Sequence, residues 1–453
     1  MDIKDLYKLY QQHPQITTDS RDCPKGSIFL ALKGESFNGN KFAESALEKG
    51  CAFAIIDEPE YKKDDRFILV DNCLQAFKDL AREHRRQFDI PVIGITGTNG
   101  KTTTKELIRA VLSECYNVMA TEGNFNNDVG VPKTLFRLND DHDIAVVEMG
   151  ASHPGDIKTL VETAEPNCGL ITNVGRAHLQ GFGSFEGVCK TKGELYDFLC
   201  QHECPIFINR DNEYLMQMIE ERKLSGGAEA DFYFYGQSDN PDILIRGEVI
   251  SCAPFLKFRW REQDADAGYT SDWMEVQTHL IGAYNLDNML AAITIGYVNN
   301  IPFDKINYAL ENYVPTNNRS QLTETEHNHL IVDAYNANPT SMKAAIDNFR
   351  LMEVSPKMAI LGMMGELGDV SQEEHRKIIV LLEEARFDEV WLVGSEFQKA
   401  LGPQSSINGQ ASFRIFANVD EVKAAIAQNL PQDHYILIKG SNSTHLYELP
   451  ALL

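Results

Sequence analysis

The sequence predicts an α/β protein built from three domains. The chain has 453 residues, and at roughly 150 residues per domain this length suggests about three domains with sizeable cores. Charged residues make up 24% and hydrophobic residues 43% of the chain, which is ordinary globular composition. Short apolar segments alternate with helical stretches, and this alternation favours mainly parallel sheets.

The first predicted domain, residues 1–88, is a small α/β unit. It mixes short strands over 27–32 and 52–56 with helices over 42–49 and 74–87. The last helix is charged and leads to a break at residues 89–91, so we expect it to connect this domain to the next.

The second predicted domain spans residues 89–314 around a parallel sheet. A buried strand over 92–95 opens it, and further strands and helices alternate after it: strands over 144–147 and 169–172, helices over 103–114 and 193–199. Residues 231–280 differ, because their longer strands indicate an antiparallel extension of the sheet.

The third predicted domain, residues 315–453, is a second α/β unit, and we expect it to be doubly wound. It contains four predicted strands with helices between them: strands over 330–332, 358–361, 389–393 and 435–438, helices over 341–351 and 372–385.

Charge and composition exclude several functional classes. Lys and Arg number 42 against 66 Asp and Glu, giving a net charge of −24, so we expect neither nucleic acid nor an anionic membrane as a partner. A local basic pocket for a phosphate ligand stays compatible with this charge. The polar first residues predict no signal peptide, and no apolar run is long enough for a transmembrane helix.

Cysteine usage predicts a reducing, cytoplasmic environment. The nine cysteines are scattered and odd in number, which does not fit a disulfide framework. The closest group is Cys200-Gln-His-Glu-Cys204. A metal site there lacks a second ligand pair at a usual spacing, and a helix end carrying small apolar thiols is the favoured alternative.

The strongest chemical signal is the segment Gly94-Ile-Thr-Gly97-Thr98-Asn99-Gly100-Lys101-Thr102-Thr103. It follows a predicted strand and opens a predicted helix, which is the setting of a phosphate-binding loop, although position 95 departs from the standard spacing. Glycines let backbone N–H groups converge on phosphate oxygens, and the helix N-terminus adds partial positive charge. Lys101 can reach the β- and γ-phosphates, and the Thr102 hydroxyl can bind Mg²⁺.

Three residues downstream are candidates for the chemistry. Glu148 ends a predicted strand, where an acid can hold the Mg²⁺ of a nucleotide; the alternative is a solvent-facing glutamate. His178 follows the next strand and is either a ligand of a second metal ion or a hydrogen-bonded histidine. Lys192, on spacing alone, is an ordinary lysine at a helix start. A guanine-reading switch would need Asn-Lys-x-Asp, and Asn209-Arg210-Asp211 is not that motif.

These residues resemble the Mur ligase superfamily of ATP-dependent amide-bond ligases. The resemblance covers nearly the whole chain in order: Thr18-Asp-Ser20-Arg21, residues 26–34 ending in Lys33-Gly34, Gly97 to Thr103, Gly123-Asn-Phe-Asn126-Asn127, Glu148-Met-Gly-Ala, Asn173, His178, Lys192, Gly282-Ala-Tyr-Asn285, Asp333-Ala-Tyr335-Asn336-Ala-Asn338-Pro, Leu361-Gly-Met-Met-Gly365 and Lys439-Gly-Ser. The Tyr-Asn-Ala-Asn-Pro string is similar to the branch that joins D-alanyl-D-alanine to UDP-N-acetylmuramoyl-tripeptide. The chain departs from the family pattern at Asn38-Gly-Asn40, at Ser152 and after Ser441.

The resemblance assigns roles to the three domains and their residues. It implies a UDP-substrate-binding domain over 1–88, a central ATP-binding domain over 89–314 and a C-terminal ligase domain over 315–453. The implied ATP contacts are Gly97, Thr98, Asn99, Gly100, Lys101, Thr102, Thr103, Asn285, Arg319, Asp333, Tyr335 and Asn336. The implied substrate contacts are Ser20, Arg21, Lys33, Asn126 and Asn127. The implied ligands of two Mg²⁺ ions are Thr102, Glu148, His178 and Lys192, with Lys192 carbamylated and Lys101, His178 and Lys192 catalytic.

The implied reaction is phosphorylation of the tripeptide carboxylate by ATP, followed by attack of the D-alanyl-D-alanine amine on the acyl phosphate. This places the protein, as a monomer, in cytoplasmic peptidoglycan precursor synthesis, which supports cell shape and division. Two alternatives stay open. One is a sibling ligase that adds the third amino acid or glutamates to folate, and the other is a regulatory protein that uses the phosphate loop as a switch.

Overall fold

A computed structural model describes residues 2–34, 36–224, 230–252, 254–264, 267–315, 321–401 and 412–453. The first part of the chain forms four strands and three helices: α1 (Ile3–Gln12), β1 (Ile16–Thr17), β2 (Ile28–Leu30), α2 (Ala43–Lys49), β3 (Phe53–Ile56), β4 (Phe67–Leu69) and α3 (Cys73–Arg85). Short 3₁₀ helices cover Gly39–Phe42 and Pro59–Tyr61.

The described residues in the middle of the chain form ten strands and eight helices. They are β5 (Val92–Thr96), α4 (Lys101–Leu112), β6 (Val118–Ala120), α5 (Gly130–Leu135), β7 (Ile144–Glu148), α6 (Asp156–Ala164), β8 (Cys168–Ile171), α7 (Leu179–Phe182), α8 (Phe185–Gln201), β9 (Ile206–Asn209), α9 (Glu213–Leu224), β10 (Phe232–Gly236), β11 (Ile243–Cys252), β12 (Phe255–Asp264), β13 (Tyr269–Thr270), β14 (Met274–Ile281), α10 (Asn285–Val298) and α11 (Phe303–Asn312).

In the last part of the chain, the residues that the structure describes form six strands and four helices. They are β15 (Gln321–Glu324), β16 (His329–Asp333), α12 (Pro339–Leu351), β17 (Lys357–Gly362), α13 (Ser371–Ala385), β18 (Glu389–Val393), α14 (Ser395–Leu401), β19 (Ser412–Phe416), α15 (Val419–Gln428) and β20 (Tyr435–Lys439). Short 3₁₀ helices cover Gly368–Val370, Asn442–Thr444 and Leu446–Leu452.

The chain divides into two compact units. The first unit holds residues 1–94, 117–150 and 158–167, and the second holds 95–116, 151–157 and 168–453. In the first unit, β1 to β4 pair side by side in a parallel sheet, and β6 pairs in parallel with β7. Apolar side chains of α1, α2 and α3 pack on the four-stranded sheet and form its buried core, which is where most of its stabilisation originates.

The second unit contains two sheets. In one, β8, β9, β10 and β11 pair in parallel, and β12 then pairs antiparallel with β11, β13 and β14. The prediction that 231–280 is entirely antiparallel is therefore wrong for β10, which is parallel to both neighbours. The aromatic run of β10 fits a pleated strand of either polarity, so composition could not decide between them.

The other sheet of the second unit, called here the C-terminal sheet, has the order β15-β16-β20-β17-β18-β19. Its first pair is antiparallel and the others are parallel. Alternate residues of one strand enter different cores, with Ile331 on one face and Leu330 and Val332 on the other. Helices cover both faces of this mostly parallel sheet, which is the predicted doubly wound arrangement. Because β16 and β20 are parallel neighbours, their carboxyl ends lie at the same edge of the sheet.

The structure contains predicted helices and strands, but their first and last residues differ from the predicted ones. The helix expected over 193–199 begins eight residues earlier, at Phe185, where Ser184 caps it by accepting from the Gly187 N–H. Lys192 consequently lies inside α8 rather than at its start. Among the described residues, no helix combines the length and apolarity that crossing a membrane requires.

Candidate active site

The phosphate loop connects β5 to α4 in the second unit, and two glycines determine its shape. Gly97 has φ +146°, and a Cβ there would lie 2.0 Å from Thr172 Oγ1. Gly100 has φ +79°, and a Cβ there would lie 2.7 Å from Asn288 Oδ1. Because both positions combine positive φ with a close neighbour, only glycine fits without displacing that neighbour.

The loop is tied to the residues after β8. The Asn99 backbone N–H donates to Asn173 Oδ1 at 3.0 Å, and Asn173 Nδ2 donates back to the Asn99 carbonyl at 3.0 Å. The Thr172 hydroxyl donates to the same carbonyl at 2.6 Å. The Thr98 hydroxyl accepts from the Gly175 N–H at 2.9 Å. These hydrogen bonds, all made within the protein, preorganise the phosphate loop.

Lys101 begins α4 and reaches back over the loop. Its Nζ donates to the carbonyls of Gly97 at 2.8 Å and Thr98 at 3.1 Å. Thr102 beside it is buried and Thr103 is half-buried. An ammonium held above a helix N-terminus by neutral carbonyls is well placed to bind phosphate oxygens, because they are stronger acceptors.

A hydrogen-bonded chain links α4 to α10. The Thr104 hydroxyl donates to Asn288 Oδ1 at 3.0 Å, and Asn288 Nδ2 donates to Asn285 Oδ1 at 2.9 Å. Asn285 Nδ2 donates in turn to the Ile281 carbonyl at 2.8 Å. Asn285 is buried and begins α10, so its side chain is held by these partners rather than serving as an N-cap.

Lys192 is almost fully enclosed, with 2% of its surface exposed. Its Nζ lies 5.6 Å from the centre of the Phe182 ring. Burial, followed by the positive charge of Lys101, lowers the pKa of the Lys192 amine well below its ordinary value, although Asp156 and Glu194 oppose the shift. A buried lysine in such surroundings favours the neutral amine, which is the nucleophilic form.

His178 precedes α7 with left-handed backbone, φ +50°. Its Nδ1 contacts a carboxylate oxygen of Glu366, which also has a positive φ of +58°. Burial lowers the pKa of the His178 imidazole, Glu366 opposes this, and the charges of Lys101 and Lys192 reinforce it. The structure thus brings Lys101, His178 and Lys192 within electrostatic reach of one another.

The edge of the C-terminal sheet carries a buried ion pair. Asp333 ends β16 and lies opposite Lys439 in the register of β20. Lys439 Nζ donates to Asp333 Oδ2 at 2.5 Å and to the Asn336 carbonyl at 3.2 Å, and Lys439 is 1% exposed. Tyr335 and Asn336 are exposed. The predicted Arg319 lies outside the described residues.

Three predicted residues lie close together in the first unit. Glu148 ends β7, is 1% exposed, and accepts from Asn126 Nδ2 at 2.9 Å. Asn127 Oδ1 accepts from the backbone N–H groups of Val129 and Gly130 at 3.2 and 2.8 Å. Asn127 therefore shapes the turn into α5, while Asn126 orients the Glu148 carboxylate.

The predicted UDP-side residues are occupied by local partners. Arg21 is exposed and lies 2.8 Å from Asp19, and Lys49 Nζ donates to the Ser20 carbonyl at 2.6 Å. Lys33 Nζ lies 2.9 Å from Asp57 and 3.0 Å from Glu58, and these carboxylates raise the pKa of the Lys33 ammonium.

The oxygen donors of two predicted metal ligands, Thr102 and Glu148, fit Mg²⁺. Thr102 offers a hydroxyl and Glu148 a buried carboxylate, and Mg²⁺ prefers oxygen ligands supplemented by water and phosphate oxygens. A lysine is not a metal ligand unless its amine is converted to an anion, and the lowered pKa of Lys192 makes that conversion accessible. No group of three or more His, Cys, Asp and Glu side chains suited to a metal ion occurs in the described part of the chain.

Sequence reasoning missed two partners of these residues. Glu366 contacts His178 across 188 positions of sequence, and Lys439 pairs with Asp333 across 106. Both lie in segments that the family resemblance includes, but neither carries a local signal of its role. The register of β16 against β20 is what aligns Asp333 with Lys439.

Three family models match the chain in order. They are "Mur ligase family, catalytic domain" over residues 14–88, "Mur ligase middle domain" over 95–296 and "Mur ligase, glutamate ligase domain" over 318–442.

Relatives and solved structures match over nearly full length. The UDP-N-acetylmuramoyl-tripeptide–D-alanyl-D-alanine ligase of Bacillus subtilis is 31% identical over 442 residues, which cover 96% of this chain and 92% of that protein. A crystal structure of MurF from Acinetobacter baumannii superposes with a TM-score of 0.85 at 29% identity, covering 99% of this chain and 97% of that one. MurF ligase of Thermotoga maritima, solved in complex with ADP, shares the fold with a TM-score of 0.84 at 24% identity, covering 97% of both chains.

The matches agree with the geometry. The middle-domain match contains the phosphate loop and Lys192, and the third match contains Asp333 and Lys439. The three-domain α/β architecture is likewise that of the matched MurF structure. The chain belongs to the Mur ligase family.

Proposed function

We propose that this protein is an ATP-dependent, ADP-forming ligase that joins D-alanyl-D-alanine to UDP-N-acetylmuramoyl-tripeptide in cytoplasmic peptidoglycan precursor synthesis. The observation that carries the proposal is the convergence of Lys101 of the phosphate loop, His178 and the buried Lys192 in the second unit. The relative of Bacillus subtilis is named for that activity and matches over nearly its whole length.

The first step forms an acyl phosphate. A carboxylate is a poor electrophile, so a carboxylate oxygen of the tripeptide attacks the γ-phosphorus of ATP and ADP leaves. Two anions must approach each other, and Lys101 at the head of α4 offsets that repulsion. In this proposal Gly97 to Thr103 hold the phosphates, Asn285 lies on the adenine side, and Asp333, Tyr335, Asn336 and Arg319 contact the nucleotide from the C-terminal domain.

The second step forms the amide bond. The amine nitrogen of D-alanyl-D-alanine attacks the acyl carbon, inorganic phosphate leaves, and the nitrogen loses a proton. The burial of Lys192 keeps water from its amine, and the same exclusion would protect an acyl phosphate formed beside it from hydrolysis. The substrate contacts proposed for the UDP-linked chain are Ser20, Arg21, Lys33, Asn126 and Asn127.

Mg²⁺ belongs to this proposal. The proposed magnesium ligands are Thr102, Glu148, His178 and Lys192, and bound Mg²⁺ would neutralise charge developing on the phosphates. The neutral amine of Lys192 is suited to attack the carbon of CO₂, lose a proton and become a carbamate, an anionic oxygen ligand. The depressed pKa of this amine supports that modification.

A four-component assay tests the reaction. Purified protein is incubated with ATP, Mg²⁺, UDP-N-acetylmuramoyl-tripeptide and D-alanyl-D-alanine, and phosphate release and amide product are measured. We expect both to require all four components, with tripeptides ending in diaminopimelate and in lysine assayed separately.

Parallel arms separate the alternatives. A sibling ligase would instead consume UDP-N-acetylmuramoyl-dipeptide with the third amino acid, or a folate with glutamate. A regulatory protein would release phosphate without either acceptor. Phosphate release that requires neither UDP-N-acetylmuramoyl-tripeptide nor D-alanyl-D-alanine would contradict the ligase proposal.

A further inference from the structure

Asn338 lies where the C-terminal domain meets the phosphate loop. It is 4% exposed and immediately precedes α12. Its Nδ2 donates to Asn99 Oδ1 at 2.7 Å, and Asn99 Nδ2 donates to Asn338 Oδ1 at 3.4 Å. The two amides therefore face each other across 239 positions of sequence, and one of them belongs to the loop that the proposed function assigns to the phosphates of ATP.

Asn338 is fixed from its own side by the start of α12. Its Oδ1 accepts from the Ser341 N–H at 2.9 Å, and the Ser341 hydroxyl accepts from the Asn338 N–H at 3.2 Å, which together form a capping box. Pro339 at the first helical position fixes the backbone further. The amide that meets Asn99 is thus part of a rigid helix terminus rather than of a mobile side chain.

Asn99 is fixed from the central domain. Its backbone N–H and carbonyl are bonded to Asn173 and Thr172, so the loop keeps its shape without Asn338. Of the groups of Asn99, the side-chain amide is the one that contacts the C-terminal domain. The amide pair consequently joins the loop to the start of α12 through two side chains whose backbones are each held in place.

We infer that Asn338 is a positioning residue that couples docking of the C-terminal domain to the phosphate loop. This rests on the proposed function, in which the nucleotide is held by the loop and by Asp333 of the C-terminal sheet. Asp333 lies five residues before Asn338, so a shift of α12 against Asn99 moves both contacts together. Loss of the amide pair should leave nucleotide binding by the loop intact but weaken the productive, docked arrangement.

The test uses two variants with opposite predicted signatures. Asn338→Ser keeps an N-cap, because Ser and Asn cap helices about equally well, but is too short to reach Asn99. Ser341→Ala removes the reciprocal half of the capping box and leaves the amide pair in place. The first variant removes the coupling, and the second perturbs only helix stability.

The expected results separate the two effects. For Asn338→Ser we expect kcat to fall about threefold to tenfold, which corresponds to one hydrogen bond, with KM for ATP within about twofold and the melting temperature nearly unchanged. For Ser341→Ala we expect kcat to be unchanged and the melting temperature to fall by about 1–4 °C.

Hydrogen–deuterium exchange with ADP and Mg²⁺ gives a readout that does not depend on ligation. In the wild-type chain, ADP should slow amide exchange both in the loop at 97–104 and at the start of α12 at 340–343. In Asn338→Ser, protection should remain in the loop and be lost from α12.

Two outcomes would overturn the inference: equal loss of kcat in both variants, or protection of α12 that survives Asn338→Ser. Failure of the wild-type chain to ligate would instead refute the proposed function, while the exchange experiment would still decide the coupling.

Discussion

Two buried lysines, one inside helix α8 and one at the end of strand β20, have opposite surroundings. Lys192 of α8 is 2% exposed, and the largest charge influence on it comes from another lysine, Lys101. Lys439 of β20 is 1% exposed and donates to the carboxylate of Asp333 at 2.5 Å. Two equally buried lysines therefore differ in the neighbouring charge, which is a second cation for Lys192 and a carboxylate for Lys439.

The difference in neighbouring charge separates Lys192, which we propose to be reactive, from Lys439, which has a structural role. Burial and the charge of Lys101 outweigh the opposing carboxylates of Asp156 and Glu194 and disfavour the ammonium, so Lys192 is suited to covalent chemistry. Lys439 donates to the Asp333 carboxylate and to the Asn336 carbonyl, so it holds the strand end that carries Asp333. The neighbouring charge, rather than the degree of burial, distinguishes the two roles.

Removing Lys192 should have the largest effect. For Lys192→Ala we expect ligation to fall by about 100- to 1,000-fold, the range for loss of one electrostatic contributor in a closed site. Short carboxylates such as acetate or formate should restore part of the activity, because they can supply the missing anionic oxygen. The measurement is turnover against carboxylate concentration.

Lys192→Arg is the matched control. It keeps a long cationic side chain but cannot form the carbamate, so it should be as inactive as Lys192→Ala and, since its bulk fills the cavity, refractory to rescue. A fully active Lys192→Ala variant would contradict the carbamate proposal.

Removing Lys439 should have an intermediate effect, and this effect should be on stability and on the KM for ATP. Lys439→Met leaves Asp333 without its partner, and we expect about 1–3 kcal/mol less stability in urea unfolding. The KM for ATP should rise about tenfold, because Asp333 and Asn336 lose the group that orders them.

The double variant Lys439→Met with Asp333→Asn tests the pairing. It removes both charges and should recover most of the lost stability, because no unpaired buried charge remains. It should not recover the KM for ATP. Equal destabilisation by the single and the double variant would show that the ion pair is not what stabilises this edge.

The smallest expected effect is a pH dependence from His375. Its Nε2 accepts from the Met364 N–H at 2.9 Å and its Nδ1 lies 2.7 Å from the Ser371 carbonyl, so the neutral ring fits both bonds. Burial lowers the pKa of this imidazole below its ordinary value of 6.5. The unfolded chain then binds the proton more readily, and stability falls as the pH drops below about 6.5 toward the folded-state pKa.

Urea unfolding of the wild-type chain and of His375→Gln between pH 7.5 and 5.5 checks this effect. The wild-type chain should lose on the order of 1 kcal/mol more than the variant over this range, about the net value of the bond to Met364. Parallel pH profiles of the two proteins would contradict the assignment.

The sequence was sufficient for the fold class and for the phosphate loop. Strand–helix alternation predicted parallel sheets, and Gly97 to Thr103 predicted a turn whose glycines the structure places against Thr172 and Asn288. Periodicity could not give strand polarity, which is why β10 was assigned wrongly. It also could not locate the start of α8, because the cap at Ser184 lies in a run of small and aromatic residues.

The electrostatics of the site could not be predicted from sequence. The residues next to Lys192 and Lys439 in sequence do not distinguish either from an ordinary lysine. Their opposite surroundings arise from contacts between distant segments. The family resemblance supplied a role for Lys192, and the structure supplies the physical condition that this role requires. The individual ligand contacts, including Arg319 beyond the described residues, stay predictions.

The contact between His178 and Glu366 joins two residues that both hold a backbone conformation unfavourable for side chains. Left-handed geometry costs roughly 1–2 kcal/mol for a residue other than glycine. Glycine at either position would relax the chain and at the same time delete the group that makes the contact. Thermal stability is therefore the wrong selection criterion at these two positions, since a library screened for it would enrich glycines that empty the site.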